Sequence, residues 1–413
     1  MYNGVFWLII VFLSVEFLVS QVLAWLNRKA ALSKIPQEVS GLYDEQEYMR
    51  QQNYFKANDK FALYTDSFNF LLIVGLLSFG VFGWVCRMLS DYIESETVVT
   101  MLFFGILFIA NEIISLPFSI YSVFVIEEKF GFNKTTPATF VSDKLKGLLL
   151  GIVIGGGLLF LITSLYSWLQ SSFWLAAFVV VAVFSVLLNM FYSTWIVPLF
   201  NKQEPLPKGE LRSAIEQFCE KAGFKLDNIY VIDGSKRSSK ANAYFSGLGR
   251  KKRIVLYDTL IDELSTDEIV AVLAHEIGHY KHKHTRQMLL SSLLNMFVLF
   301  YLFSLLSASP LPSEALGGER ALFPLSLVAF SMLYTPVGML TGVLLNYVSR
   351  KNEYQADSFA VSYGYGLPLI DALKKISANA LCNLTPAKEF VFVYYSHPTL
   401  VQRIDNIKRQ IIK

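Results

Sequence analysis

The sequence predicts a mainly α, polytopic membrane protein with seven transmembrane helices and a small α+β region on one side of the bilayer. Three observations carry that expectation. Hydrophobic residues make up 54% of the 413 residues and charged ones only 17%, where a soluble domain carries about a quarter charged. Seven apolar stretches reach the roughly 20 residues that a spanning helix needs. Between 200 and 285 the pattern changes to short β-branched and aromatic runs among polar helical segments.

The first stretch, Met1 to Asn27, has no Lys or Arg before Arg28 and no small-residue cleavage site behind a short apolar core. It is therefore expected to stay as a helix and not to be a cleaved signal. Six more follow at 62–87, 98–121, 147–168, 173–197, 286–307 and 324–348. Asp66 and Asn69 make 62–87 the least clean of them. Glu16, Asn111 and Glu112 sit near mid-span, where an ionisable or amide group must face another helix or a water-filled interior. Gly147, Gly151 and Gly155 repeat at helical spacing and are expected to let a second helix approach closely.

Lys and Arg concentrate in 28–61, 122–146, 200–285 and 349–413, while 169–172 has none and 308–323 only Arg320. This alternation puts the amino terminus outside and the basic segments in the cytoplasm. The expected organisation is a five-helix membrane region over 1–199, a cytoplasmic region over 200–285, two further spans over 286–348 and a carboxyl-terminal region over 349–413. A formal charge of +3 gives no argument for a nucleic-acid partner. Cys86, Cys219 and Cys382 form neither a CxxC pair nor a disulfide framework.

Within 200–285, "NIYVIDG", "NAYFSG" and "KRIVLYDTLI" read as strands. "STDEIVAVLAHEIGHYKHKH" opens with Ser265 and has Glu268 three residues on, the spacing of a capping box, so it reads as a helix through His284. That helix carries four of the five histidines. His275 and His279, four apart, share a face and can offer two imidazole nitrogens to one ion, with Glu276 beside them as a carboxylate base. This is the arrangement of a zinc hydrolase. Ala271, Leu273, Ala274 and Ile277 surround the pair with apolar side chains, which speaks against two solvated surface histidines.

A catalytic zinc site needs a third protein ligand. Thr285 stands six residues after His279, which excludes a histidine there. His282 has helical spacing but is expected, with His284, to belong to a basic helix end facing the cytoplasm. "SRKNEYQADSFA" offers Glu353 as the third ligand, with Asp357 one turn on to hold a ligand imidazole by its free N–H. One pair of spans returns the chain to the same side of the membrane just before Glu353.

These residues, together with "GSKRSSKANAYF" (234–245), "YSHP" (395–398) and a weaker likeness through "LPFSIYSVFVIEEKFGFNKTT" (116–136), make the chain resemble the CAAX prenyl protease type I family. Those proteins are integral-membrane zinc metalloproteases, and the likeness covers nearly the whole chain. The resemblance implies seven helices around a large chamber and cleavage near the carboxyl terminus of a protein or peptide substrate, prenylated in eukaryotic members. It implies one Zn2+ per chain held by His275, His279 and Glu353, with Glu276 as base and Asp357 behind a ligand. It makes His397 and Arg403 active-site residues and Asn242 a holder of substrate backbone. Where family members often carry Ser-His-Ser, this chain has Ser239-Lys240-Ala241. The remaining readings are a quality-control membrane protease, a transporter with structural zinc, and a lipid-binding scaffold. The short link between the last two spans and the absence of dilysine in "RQIIK" point to a bacterial plasma membrane, with the endoplasmic reticulum expected of a eukaryotic chain.

Overall fold

Capping and apolar length decide where the helices run. The computed structural model describes residues 1–32, 35–225, 228–246 and 253–412. The membrane half contains α1 (Gly4–Ala31), α2 (Glu45–Ser78), α3 (Val81–Ser90), α4 (Glu96–Tyr121), α5 (Pro137–Leu150), α6 (Gly157–Leu169), α7 (Phe173–Trp195) and α8 (Val197–Phe200). A π-helical turn, Ser122–Glu127, extends α4, and another, Gly151–Gly156, joins α5 to α6. Then come β1 (Gln203–Pro205), α9 (Glu210–Lys221), β2 (Asn228–Ile232), β3 (Ala243–Ser246), β4 (Arg253–Tyr257), α10 (Asp258–Glu263) and α11 (Thr266–Lys281). The chain re-enters the membrane with α12 (His284–Ser307), turns through α13 (Leu311–Ala315), and returns along α14 (Phe323–Leu333) and α15 (Thr335–Ser362). It ends in α16 (Gly366–Asn379), α17 (Lys388–Tyr394) and α18 (Leu400–Ile411).

Among the described residues six helical stretches are long and apolar enough to span a bilayer, and α14 with α15, bent by 50°, makes a seventh when taken as one span. The bend falls where Pro336 opens α15, since proline has no N–H to carry the ladder on. The 62–87 stretch is not one helix. A capping box of Asp44 and Glu47 starts α2 far into the polar segment, and Gly80, at φ +63°, separates α2 from α3. Of the three repeated glycines only Gly151 meets another helix. A Cβ there would lie 2.6 Å from Phe108 of α4, whereas Gly147 and Gly155 face open space.

Helix packing closes on itself: α1 on α2, α3 on α4, α4 on α6, α6 on α7, α7 on α12, α12 on α14, and α14 with α15 back on α1. No more than 17% of the most apolar window of any of the six single spans is buried. Most of each span's surface is therefore left outside the packed cores. Asn111, Ser115 and Ser119 of α4 line a cleft of about 760 Å³ with Thr65 and Asn69 of α2. Glu112 lies 3.9 Å from the Lys144 ammonium, and Glu16 and Asp66 lie within electrostatic reach of Tyr394.

The ring has a core at each end. At one end Phe6, Leu77, Phe82, Phe103, Leu316 and Leu325 pack together. Gly83 is there because a Cβ would stand 2.5 Å from the Gly317 carbonyl oxygen. At the other end a single cluster takes Tyr43, Phe130, Ile254, Ile269 and Ile404, one or more from each of the four basic segments. All four therefore lie on the same side. The sheet there has the order β1-β2-β4-β3, with β2 parallel to β4 and both outer strands antiparallel to their neighbours. Among the described residues its β3 edge has no strand partner, and β1 is a strand the sequence pattern did not suggest. The sheet's Ile229, Ile254 and Leu256 pack into the same cluster as Phe218 of α9 and Leu273 of α11.

Candidate metal centre

The motif helix α11 begins as its sequence suggests. The Ser265 hydroxyl accepts from the Glu268 N–H, and the Glu268 carboxylate accepts from the Ser265 N–H. Glu268 is also clamped by Lys375 of α16 at 2.7 Å, which fixes the helix start against the carboxyl-terminal region. Three turns later the helix buries His275 against α15. Gly278 makes this contact possible: a Cβ there would lie 3.0 Å from both Ala356 Cα and Phe359 Cβ.

Across that contact His275 Nε2, His279 Nε2 and the Glu353 carboxylate face one another. The two imidazole nitrogens are 3.1 Å apart. Glu353 Oε2 stands 3.4 Å from the first and Oε1 3.2 Å from the second. One donor atom from each of the three residues lies within 4.8 Å of the others, the spacing of a metal-ligand set. Glu353 is 3% exposed; its Oε2 has no hydrogen-bond partner within normal reach and has Arg403 Nη1 at 3.6 Å, which leaves it room to coordinate a bound cation. The donor set of two imidazoles and a carboxylate fits a divalent metal of the zinc type.

The far side of each imidazole is also held. His275 Nδ1–H donates to Asp357 Oδ1 at 2.8 Å, so Nε2 is the nitrogen that faces the site and offers its lone pair once its proton is lost. Asp357 is fully buried, and Arg403 of α18 grips it with both arms, Nη2 to Oδ1 at 2.6 Å and Nε to Oδ2 at 3.0 Å. Arg403 Nη2 also passes 3.2 Å from His275 Nδ1. Both are donors, so this is a packing contact and not a further hydrogen bond. Burial and the guanidinium oppose a charge on His275. The Asp357 and Glu353 carboxylates outweigh them and raise its pKa to about 9 in the metal-free protein.

His284 differs from the sequence reading. It is 4% exposed and not a cytoplasmic surface residue. Its Nδ1 lies 3.0 Å from His279 Nδ1 and its Nε2 2.8 Å from Gln355 Oε1. With His279 Nε2 free to face the site, the protons run in one direction: His279 Nδ1–H to His284, His284 Nε2–H to Gln355. The left-handed Lys283, at φ +60°, breaks α11 from α12 and turns His284 inward; the helical pattern held no sign of this break. His282 does remain exposed, stacked on His284.

The other candidate residues surround this set. Glu276 follows His275 on α11 and is partly exposed. His397, in the loop before α18, is 63% exposed and brings Nε2 to 3.4 Å from Glu353 Oε1. Asn242 is exposed immediately before the free edge strand β3, its side-chain oxygen accepting from the Ala243 N–H. Lys240, in place of the family's histidine, has a role of its own. Its ammonium meets Glu127 Oε2 at 2.8 Å and the Tyr54 hydroxyl at 2.9 Å, and lies 4.3 Å over the Phe132 ring. It ties the β3 approach to α2 and to the turn after α4.

Known proteins resemble this chain along nearly its whole length. Residues 25–202 match the family described as the CAAX prenyl protease N-terminal region of five membrane helices, and 205–411 match peptidase family M48. CAAX prenyl protease 1 of Saccharomyces cerevisiae is 34% identical over 91% of this chain and 89% of its own. A homologue of CAAX prenyl protease 1 from Oryza sativa is 35% identical over 92% of both chains, and one from Homo sapiens 30% identical over 91% of this chain and 88% of its own. The crystal structure of S. mikatae Ste24p superposes with a TM-score of 0.91 at 33% identity, covering 98% of this chain and 99% of that one. The chain belongs to peptidase family M48, joined to the five-helix membrane region of the CAAX prenyl proteases: it is a membrane metalloendopeptidase.

Proposed function

We propose that this metalloendopeptidase uses zinc and cleaves near the carboxyl terminus of CAAX-type proteins or peptides whose cysteine carries a prenyl group. One observation carries the reading: two imidazole nitrogens and a buried carboxylate converge at one point. They do so in a chain that shares about nine-tenths of its length with CAAX prenyl proteases. Zinc, when bound, polarises the scissile carbonyl and eases the ionisation of water. His275, His279 and Glu353 hold it. Glu276 takes a proton from the attacking water and passes it to the leaving amine. His397, at the open mouth of the site, donates to the oxygen on which negative charge develops. Arg403 keeps Asp357 charged and oriented, and Asp357 keeps His275 in the tautomer that binds metal. Asn242 and the free edge of β3 receive the substrate backbone as an added strand.

The cleft between α2 and α4 suits a lipidated tail, because its apolar walls are interrupted by amides and hydroxyls. The clustering of all four basic segments with the site supports a catalytic side facing the cytoplasm and an outside amino terminus. The membrane is expected to be a bacterial plasma membrane, and the eukaryotic relatives make the endoplasmic reticulum the alternative that cell fractionation must separate. The test is mass spectrometry of the products from a farnesylated CAAX peptide and its non-prenylated twin. Cleavage of the farnesylated peptide at the bond after the cysteine is expected, with a fall of about 10²–10⁴-fold in Glu276→Gln at unchanged metal content. Undiminished cleavage by that variant refutes the role of Glu276, and equal turnover of both peptides refutes a requirement for the prenyl group.

A further inference from the structure

Four basic side chains meet at a groove that the catalytic geometry does not use. Arg50, Lys56 and Lys60 of α2, with Lys129 just beyond the π-helical turn after α4, line a groove of about 940 Å³ floored in part by Phe130. All four are exposed. None takes part in an ion pair among the described residues, and Glu45 is the single acid lining the groove against four bases. So dense a set of uncompensated cations holds a positive potential that an anion relieves.

Helical geometry fixes the depth of this groove. Lys56, Lys60 and Tyr64 follow one another at one-turn intervals, and Leu71 continues the same stripe two turns further on. Tyr64 is 61% and Leu71 67% exposed, on a helix that spans the bilayer. That stripe therefore faces lipid and not the cleft against α4, whose polar Asn69 and Thr65 lie on another side of α2. A tyrosine at the boundary marks the interface, and the Lys60 ammonium packs over its ring at 5.9 Å. At 1.5 Å per residue, Lys60 and Lys56 fall at headgroup level. The groove is also preformed: Arg50 donates to the Phe130 carbonyl and sits 6.0 Å over the Phe132 ring, and Lys129 lies 5.7 Å over Phe130.

We propose that this groove binds the phosphate headgroup of an anionic phospholipid from the leaflet on the catalytic side, its acyl chains lying along the lipid-facing stripe of α2. Such a lipid bridges α2 to the turn after α4. Both elements also meet Lys240 through Tyr54 and Glu127, so the bound lipid braces the approach to β3.

The test uses the full-length protein in nanodiscs of equal phosphatidylglycerol and phosphatidylcholine, with retained lipids read by native mass spectrometry. Wild type is expected to enrich phosphatidylglycerol. A juxtamembrane lysine contributes about fivefold to such binding, so K60Q should lose about fivefold in preference and K56Q/K60Q/K129Q should fall to parity. Arg50 stays unchanged because it holds the Phe130 carbonyl. The control K208Q/K225Q/K408Q removes the same charge from exposed lysines elsewhere and should keep the enrichment. Unchanged preference in both groove variants overturns the proposal, as does an equal loss in the control. Inorganic phosphate at matched concentration should leave the lipid bound; full displacement would make a soluble anion the occupant and overturn the lipid assignment.

Discussion

Asp357→Asn tests how the metal centre is held. The carboxylate is fully buried and takes three donors: His275 Nδ1 at 2.8 Å and the two arms of Arg403 at 2.6 and 3.0 Å. Asparagine has the same shape but one acceptor oxygen, so its amide nitrogen must face either the imidazole N–H or the guanidinium, donor against donor. Two losses follow. Breaking a buried charge pair from one side costs about 3–5 kcal/mol, since Arg403 keeps its charge. The His275 tautomer is no longer fixed, and loss of such a partner lowers metal affinity about 10–100-fold, or roughly 1.4–2.7 kcal/mol. Affinity is read by competition with a chelator on purified protein, and stability by a thermal melt of the metal-free form. A folded variant with metal affinity within about twofold of wild type would refute the argument that Asp357 acts through His275.

Metal uptake should depend on pH through His275. Its pKa in the metal-free fold, about 9, is above the unfolded value near 6.5. Its protonation therefore stabilises the metal-free protein fully below about pH 6.5, and that contribution is lost as pH rises to about 9. Metal must displace this proton, so apparent affinity should rise by up to about tenfold per pH unit and flatten near pH 9; zinc titrations giving a flat profile from pH 6.5 to 9 would contradict this. Gly278→Ala places a methyl 3.0 Å from the α15 backbone and should cost about 1–3 kcal/mol while moving Glu353 off the histidines, seen as weaker metal binding in the same competition. His284→Ala should weaken metal binding about tenfold by freeing the His279 ring, and an unaltered affinity would mean that His284 only fills space.

Much of this was legible in the chain because the signals were local. The capping box at Ser265 and Glu268, the one-turn spacing of His275 and His279, and the apolar length of the spans each depend on neighbours in sequence. What escaped depends on contacts across the fold. His284 is polar and follows a basic run, so nothing nearby distinguishes it from His282; only the left-handed Lys283 turns one inward and leaves the other out. Gly278 reads as an ordinary glycine in a helix until α15 is laid against it. Lys240 looks like a lost histidine, but Glu127 and Tyr54, far away in sequence, give it partners. The stretch 62–87 misled because hydropathy is blind to the capping box that starts α2 in polar sequence and to the turn at Gly80 that ends it.

The division of the metal set between α11 and α15 has a consequence for biosynthesis. Glu353 reaches His275 and His279 only after α12, α13 and α14 have been made and two membrane crossings inserted. Arg403, which steadies the set through Asp357, comes later still. A chain that has just completed α11 thus has the two histidines without the buried carboxylate that faces them in the finished fold. On the proposed ligand set, the donor group is therefore completed only by helices that emerge late in synthesis.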